Sequence, residues 1–280
     1  MPELPEVETV KRTLSELIVG KTIQDVVITL PRIIQRPDDI EEFRHTLTGQ
    51  TFEGVERRGK FLRLILEDDV IVSHLRMEGR YGMFEKGAPV DKHTHVRFVF
   101  TDKTELRYTD VRQFGTMHIF LKGTEFNHLP LRQLGPEPLD DAFTVKVLQS
   151  KLSSIRAVKT QLLDQTKIVG LGNIYVDEVL FRAGVHPEKP AHTITQEEAE
   201  AIHDSVVVIL QEAVDAGGSS VKSYVNGQGE MGLFQQQLNV YGRKNEPCYT
   251  CGSIITRSIV GGRGTHICPS CQPAERKVHV

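Results

Sequence analysis

Apolar residues at Leu4, Val7, Val10, Leu14 and Leu17 recur at spacings of three and four, which predicts an amphipathic helix over residues 3–18. Pro5 suits the first turn of that helix, and the early glutamates complement the positive end of its dipole. The period then changes. Residues 26–30, 59–66, 70–75, 96–101, 105–108 and 116–121 are short, alternating or β-branched, and read as strands separated by turn signals such as Glu67-Asp68-Asp69 and Thr101-Asp102-Lys103. Strands that follow one another with few helices between them predict an antiparallel sandwich or barrel. Gly135, Pro136 and Pro138 then mark a linker. Beyond it the pattern is helical over residues 141–150, 153–163, 172–183 and 195–216, with Thr195 and Glu198 at capping-box spacing and Gly217-Gly218 as a stop. A polar stretch, residues 218–232, precedes a cysteine-rich end; a loop of that length in a compact chain is more often functional than idle.

The expected fold class is therefore α+β: an N-terminal β-sandwich (1–132), a helical domain (133–237) and a small cysteine-bearing module (238–280). A chain of 280 residues has room for such domains. With 39% hydrophobic residues it can bury a core, which excludes a mainly disordered protein. The longest purely aliphatic run is Val206 to Leu210, far short of the roughly 20 residues of a spanning helix. Glu3, Glu6 and Glu8 stand where a secretory signal would be basic, so the expected location is cytoplasmic and no membrane partner is expected. The net charge of −3 gives no overall pull toward nucleic acid, so such affinity has to come from local patches.

The four cysteines form two pairs, Cys248-x-x-Cys251 and Cys268-x-x-Cys271, a spacing that reads as a zinc ribbon. Zn²⁺ favours four thiolates in a tetrahedron, and a full set leaves no open position, so one structural Zn²⁺ is expected. Two disulfides or a redox pair are the alternatives, without a secretion signal or a βαβ context to support them. From Tyr241 to the C-terminus six Lys/Arg stand against two acids. Within this segment Gly261-Gly262-Arg263-Gly264 suits a hairpin tip, though an ordinary solvated turn reads the same way.

The opening Met1-Pro2-Glu3 carries chemistry of its own. Removal of Met1 would expose a secondary amine at Pro2, which titrates near pH 8 and lower beside a helix N-terminus. A neutral secondary amine adds to an aldehyde-like carbon and gives an iminium that is cationic without a proton, an electron sink like a lysine Schiff base. Glu3 is placed to act as acid and base. On these residues alone a plain processed terminus remains the alternative.

Taken in order, the opening PELPEVE, Gly59-Lys60-Phe61-Leu62, Leu163-Asp164-Gln165 with Gly170-Leu171-Gly172-Asn173-Ile174-Tyr175, and Tyr241-Gly242-Arg243 leading into the cysteines resemble the formamidopyrimidine-DNA glycosylase (Fpg, MutM) family. The resemblance implies a β-sandwich, a helix–two-turn–helix domain and a zinc ribbon. It also implies excision of oxidised purines, chiefly 8-oxoguanine opposite cytosine and formamidopyrimidines, from double-stranded DNA, followed by cleavage at the abasic site by a monomer. The family's nucleophile and acid/base fall on Pro2 and Glu3, its assisting lysine on Lys60, and its ribbon arginine on Arg263. Backbone contacts to DNA fall on His74, Lys159, Asn173 and Tyr241. Reaching a stacked base requires flipping it out, and the family's three inserted side chains fall on Met77, Arg112 and Phe114. The 218–232 stretch matches the loop over the flipped base, so Glu78, Ser219, Ser220, Val221, Lys222, Ser223 and Tyr224 are the expected pocket lining. An endonuclease VIII-type glycosylase for oxidised pyrimidines shares the Pro2–Glu3 chemistry, but separate Met77 and Arg112/Phe114 insertion points favour the purine enzyme. A non-catalytic module that grips damaged DNA would keep Lys60 and Arg263 yet have no use for a free Pro2 amine.

Overall fold

A computed structural model describes residues 1–219 and 233–274. The chain divides into two compact units, one of residues 1–133 and 216–233, the other of residues 134–215 and 234–280.

The first unit is a sandwich of two sheets. One contains β1 (Ile23–Ile28), β7 (Thr94–Phe100), β8 (Thr104–Thr109) and β6 (Arg80–Glu85), in that order. The other runs β2 (Ile34–Arg36), β9 (Thr116–Leu121), β5 (Asp69–His74), β4 (Phe61–Leu66) and β3 (Phe52–Arg58). All pairs are antiparallel except β2 with β9. Phe52 of the second sheet meets Phe98 and Phe100 of the first edge-on, at 6.3 and 6.1 Å between ring centroids. Those contacts place the core between the sheets, the expected result of alternating inward residues on both. Helix α1 (Leu4–Ile18) seals one side by burying Val7, Val10, Leu14 and Ile18. Each such side chain contributes about 1.5–3 kcal/mol on burial. A short α2 (Ile40–Leu47), capped by the Asp39 side chain on Glu41 N–H, adds Phe43 and Leu47.

The second unit holds α3 (Val145–Lys151), α4 (Val158–Leu163), α5 (Asn173–Arg182) and α6 (Gln196–Asp215), followed by the hairpin β10 (Thr256–Val260) and β11 (Arg263–Ile267). The expected capping box is present at α6: Thr195 N–H donates to Glu198 Oε2 at 2.9 Å, and Glu198 N–H to Thr195 Oγ1 at 3.3 Å. The helix expected from residue 153 begins instead at Val158, because Ala157 is extended and bridges to Pro190. The ribbon packs against the helices through Phe181, which meets Val240, Cys248, Ile255 and Cys268. Among the described residues no helix is long and apolar enough to cross a membrane.

Candidate functional site

In the first unit the N-terminus of α1 is sunk into the fold. Pro2 is buried, and Glu3 at the N-cap is only 2% exposed. Glu6 organises this end. Its Oε2 accepts from Glu3 N–H at 2.8 Å, while its Oε1 accepts from Ser219 N–H at 2.7 Å and from the Ser219 hydroxyl at 3.1 Å. Gly218 sits at φ +80°, and a Cβ there would come within 2.9 Å of Glu6 Oε1, so only glycine fits. Ser219 bridges to Leu233, closing the root of the intervening segment. Ser219, expected in a base pocket, thus engages Glu6 with both its donors. Ser220, Val221, Lys222, Ser223 and Tyr224 lie outside the described residues.

Lys60 follows Gly59 in the two-residue turn between β3 and β4, where Gly59 adopts φ +58°. It is 5% exposed. The next residue, Phe61, pairs across the sheet with His74, the two rings meeting edge-on at 4.4 Å. His74 Nδ1 accepts from Arg76 N–H at 2.8 Å, which puts the proton of the neutral ring on Nε2 and makes that atom the donor available to a phosphate. Burial, then the cations of Arg76 and Lys60, push the His74 pKa down to about 3. An unfolded histidine titrates near 6.5. The stability due to the neutral ring is therefore complete above about pH 6.5 and is lost as pH falls toward 3. Melting temperature is expected to drop through that window, and His74→Gln to flatten the drop; equal slopes for the two proteins would dismiss the histidine as its source.

Two loops present the expected insertion residues. Met77 is 38% exposed and Phe114 51%, and Arg112 is exposed with its guanidinium 5.0 Å from the Phe114 ring. Their backbones are held in an unusual state: Arg76 and Gln113 have φ of +54° and +59°. For residues other than glycine this costs on the order of 1–3 kcal/mol. Asp110, 1% exposed, holds the second loop: Oδ1 accepts from Arg112 N–H at 3.1 Å, Oδ2 from Gly115 N–H at 2.8 Å, and the carbonyl from Gln113 N–H at 3.2 Å. The Tyr108 hydroxyl lies against both Gly79 and Gly115, and a Cβ on either glycine would collide with it. Glu78 is half-buried beside Met77.

In the second unit, α5 gathers the other predicted residues. Asn173 opens the helix, and its Nδ2 donates to Gly264 O at 2.8 Å. The Gly170 N–H donates to Gln165 Oε1 at 3.0 Å. Lys159, expected as a DNA contact, lies beneath this helix start. It is fully buried, donating to Asp177 Oδ1 at 2.6 Å, Thr265 Oγ1 at 2.8 Å and Gly264 O at 3.1 Å. Asp177 Oδ2 in turn accepts from His266 N–H at 2.8 Å. The adjacent Glu178 accepts from the backbone N–H groups of Asn239, Val240 and Tyr241 at 2.8–2.9 Å; burial raises its pKa while those donors oppose the shift. Two buried carboxylates on one helix therefore hold β11 and the 239–241 turn. That grip sets the backbone of Tyr241, whose ring meets His266 edge-on at 5.1 Å. Arg263 is exposed at the start of β11, after a turn whose Gly261 and Gly262 adopt φ +56° and +76°, as a type I′ turn requires. These acids were not identifiable from sequence, since their partners are backbone groups distant in the chain.

The four cysteine Sγ atoms all lie within 4.8 Å of one another, with separations of 3.4, 3.6 and 3.9 Å for three of the pairs. A Zn–S bond of about 2.3 Å gives tetrahedron edges of roughly 3.8 Å. A disulfide needs about 2.05 Å. The donor set fits one structural Zn²⁺.

Residues 1–117 match the formamidopyrimidine-DNA glycosylase N-terminal domain, 134–225 the formamidopyrimidine-DNA glycosylase H2TH domain, and 245–274 the zinc finger found in FPG and IleRS. The chain is 58% identical to a formamidopyrimidine-DNA glycosylase of Bacillus cereus over 98% of its own length and 99% of that protein's. The chain belongs to the formamidopyrimidine-DNA glycosylase family. Another member, from Brevibacillus brevis, is 62% identical over 97% of this chain and 99% of its own. Among solved structures, a Lactococcus lactis FPG mutant bound to Fapy-dG-containing DNA superposes with a TM-score of 0.92 at 42% identity, covering 98% of this chain and all of that one. A MutM complex with carbocyclic 8-oxo-G-containing DNA gives a TM-score of 0.91 at the same identity and the same coverage. Membership of the formamidopyrimidine-DNA glycosylase family makes this a DNA-repair glycosylase with a zinc finger, and lyase activity is typical of the family.

Proposed function

We propose that the protein excises oxidised purines, 8-oxoguanine opposite cytosine and formamidopyrimidines, from duplex DNA in base-excision repair and then cuts the strand, with Pro2 as nucleophile. The observation that carries this reading is the buried start of α1, where Pro2 directly precedes an almost fully buried Glu3. Similarity to proteins solved with Fapy-dG, abasic-site and carbocyclic 8-oxo-G DNA supports the substrate class. The lone pair of the freed Pro2 nitrogen forms a bond to C1′ as the glycosidic bond breaks, and the electron pair of that broken bond leaves with the base, which takes up a proton. Glu3 transfers protons as the sugar ring opens to the iminium. The iminium acidifies C2′; loss of that proton expels the 3′ phosphate, and a second elimination expels the 5′ phosphate. Met77, Arg112 and Phe114 occupy the space left by the flipped nucleotide, Arg112 donating to the orphaned cytosine. Lys60, the Nε2–H of His74, Asn173, Tyr241 and Arg263 hold phosphates. Zn²⁺ takes no part in the reaction.

Borohydride trapping tests the reading. Processed protein is expected to form a covalent adduct with an 8-oxoguanine:cytosine duplex, and to do so faster than with a thymine-glycol duplex. The reverse preference would assign the protein to the oxidised-pyrimidine enzymes, and no adduct with either duplex would leave a binding module.

A further inference from the structure

Glu8 has no part in the chemistry above, yet it is more than a dipole complement. It is the fifth residue of α1, and the favourable end-charge effect fades within the first turn. Its side chain is 14% exposed and is fixed by Lys11 Nζ at 3.1 Å, Arg12 Nε at 3.3 Å and Arg57 Nε at 3.1 Å. Burial works against the charged form, but Lys11 and Arg57 hold the carboxyl below its usual range. Arg57 belongs to β3, and its Nη1 donates onward to Gly59 O at 3.0 Å. That carbonyl is part of the rigid plane joining Gly59 to Lys60. A continuous chain of contacts thus runs from the helix that begins at Pro2 and Glu3, through one carboxylate and one guanidinium, to the peptide that launches Lys60.

We propose that Glu8 and Arg57 are positioning residues that fix Lys60 relative to the helix bearing Pro2 and Glu3. Arginine suits the task because its planar fork contacts two partners at once, which lysine cannot reproduce. Glycine at 59 lets the chain turn at φ +58° while leaving its carbonyl aimed at Arg57. The inference rests on the proposed role of Lys60, which holds a phosphate and assists the reaction.

The test compares wild type, Lys60→Ala, Glu8→Gln and the Glu8→Gln/Lys60→Ala double variant in single-turnover excision of 8-oxoguanine. Binding is measured on a duplex carrying a tetrahydrofuran abasic analogue. Glu8→Gln is expected to slow the chemical step about tenfold, the scale of a small misplacement of a reacting group, and to change Kd less than twofold. In the Lys60→Ala background it is expected to add no further slowing. The charge swap Glu8→Arg/Arg57→Glu guards against simple destabilisation. It is expected to regain part of the melting temperature lost in Glu8→Arg alone, although Lys11 and Arg12 then face a like charge, but none of the rate, because a carboxylate has no N–H to offer the Gly59 carbonyl. Full activity in Glu8→Gln, equal slowing in both backgrounds, or rate recovery in the swap would overturn the proposal. If wild type itself excises nothing, the failure belongs to the proposed function instead.

Discussion

Protein that keeps Met1 is expected to form no borohydride-trapped adduct and to lose strand cleavage by a thousandfold or more, on the scale of removing an enzyme's nucleophile. The cause is electronic. With Met1 attached, the Pro2 nitrogen is part of a peptide bond, and its lone pair is delocalised into the carbonyl. Cleavage of that bond converts it to a secondary amine that is substantially neutral near pH 8. Pro2 is buried, so the amine that removal of Met1 liberates stays within the fold. Expression without methionine aminopeptidase activity, with intact mass to score the terminus, separates the two forms. Equal trapping by both would exclude Pro2 and shift the search to a lysine. Duplex binding should change far less than trapping, since His74, Asn173 and Arg263 remain as they were.

The second large effect concerns stability. Asp177→Ala is expected to destabilise the helical and ribbon unit by about 3–5 kcal/mol, as removal of one partner of a buried ion pair does. Lys159 and Asp177 are both 0% exposed, so the remaining ammonium would be stranded, and His266 would also lose its acceptor. The pH dependence identifies the mechanism. An unpaired buried lysine releases its proton more readily than an unfolded one, so the unfolded state binds more protons below about pH 10. The deficit of the variant should therefore shrink as pH rises toward that value. Denaturant unfolding at two pH values measures both quantities. A loss under about 1 kcal/mol, or a deficit that grows with pH, would show that the pair carries little of the unit's stability.

Sequence reading located the parts of this protein whose signal is periodic or whose chemistry is local. Helix α1 follows the spacing of Leu4, Val7, Val10 and Leu14, and the two cysteine pairs, spaced as in a zinc ribbon, bring four thiols within 4.8 Å of one another. Strand β3 escaped notice because Phe52-Glu53-Gly54-Val55 contains a register shift, which breaks the two-residue alternation that marks a strand. Strand β6 escaped because Met83, Phe84 and Glu85 give no clean inward and outward sides. At the site, Met77 and Phe114 are indicated only by the family resemblance, since apolar side chains read in one dimension as core, whereas the structure exposes both on loops. The acids that hold those parts in place did not. Glu6, Asp110, Asp177 and Glu178 look in one dimension like solvated charges. Their roles appear only when folding brings Ser219 to Glu6, or Val240 and Tyr241 to Glu178.

The Tyr108 hydroxyl lodged between Gly79 and Gly115 has a consequence for how these enzymes can diversify. The finger carrying Met77 and the finger carrying Arg112 and Phe114 share one brace, so neither can be lengthened, stiffened or re-aimed without disturbing its sibling. A change that moves one loop therefore shifts the other, and grafting a single finger from a distant cousin should yield a strained pair rather than an independent replacement.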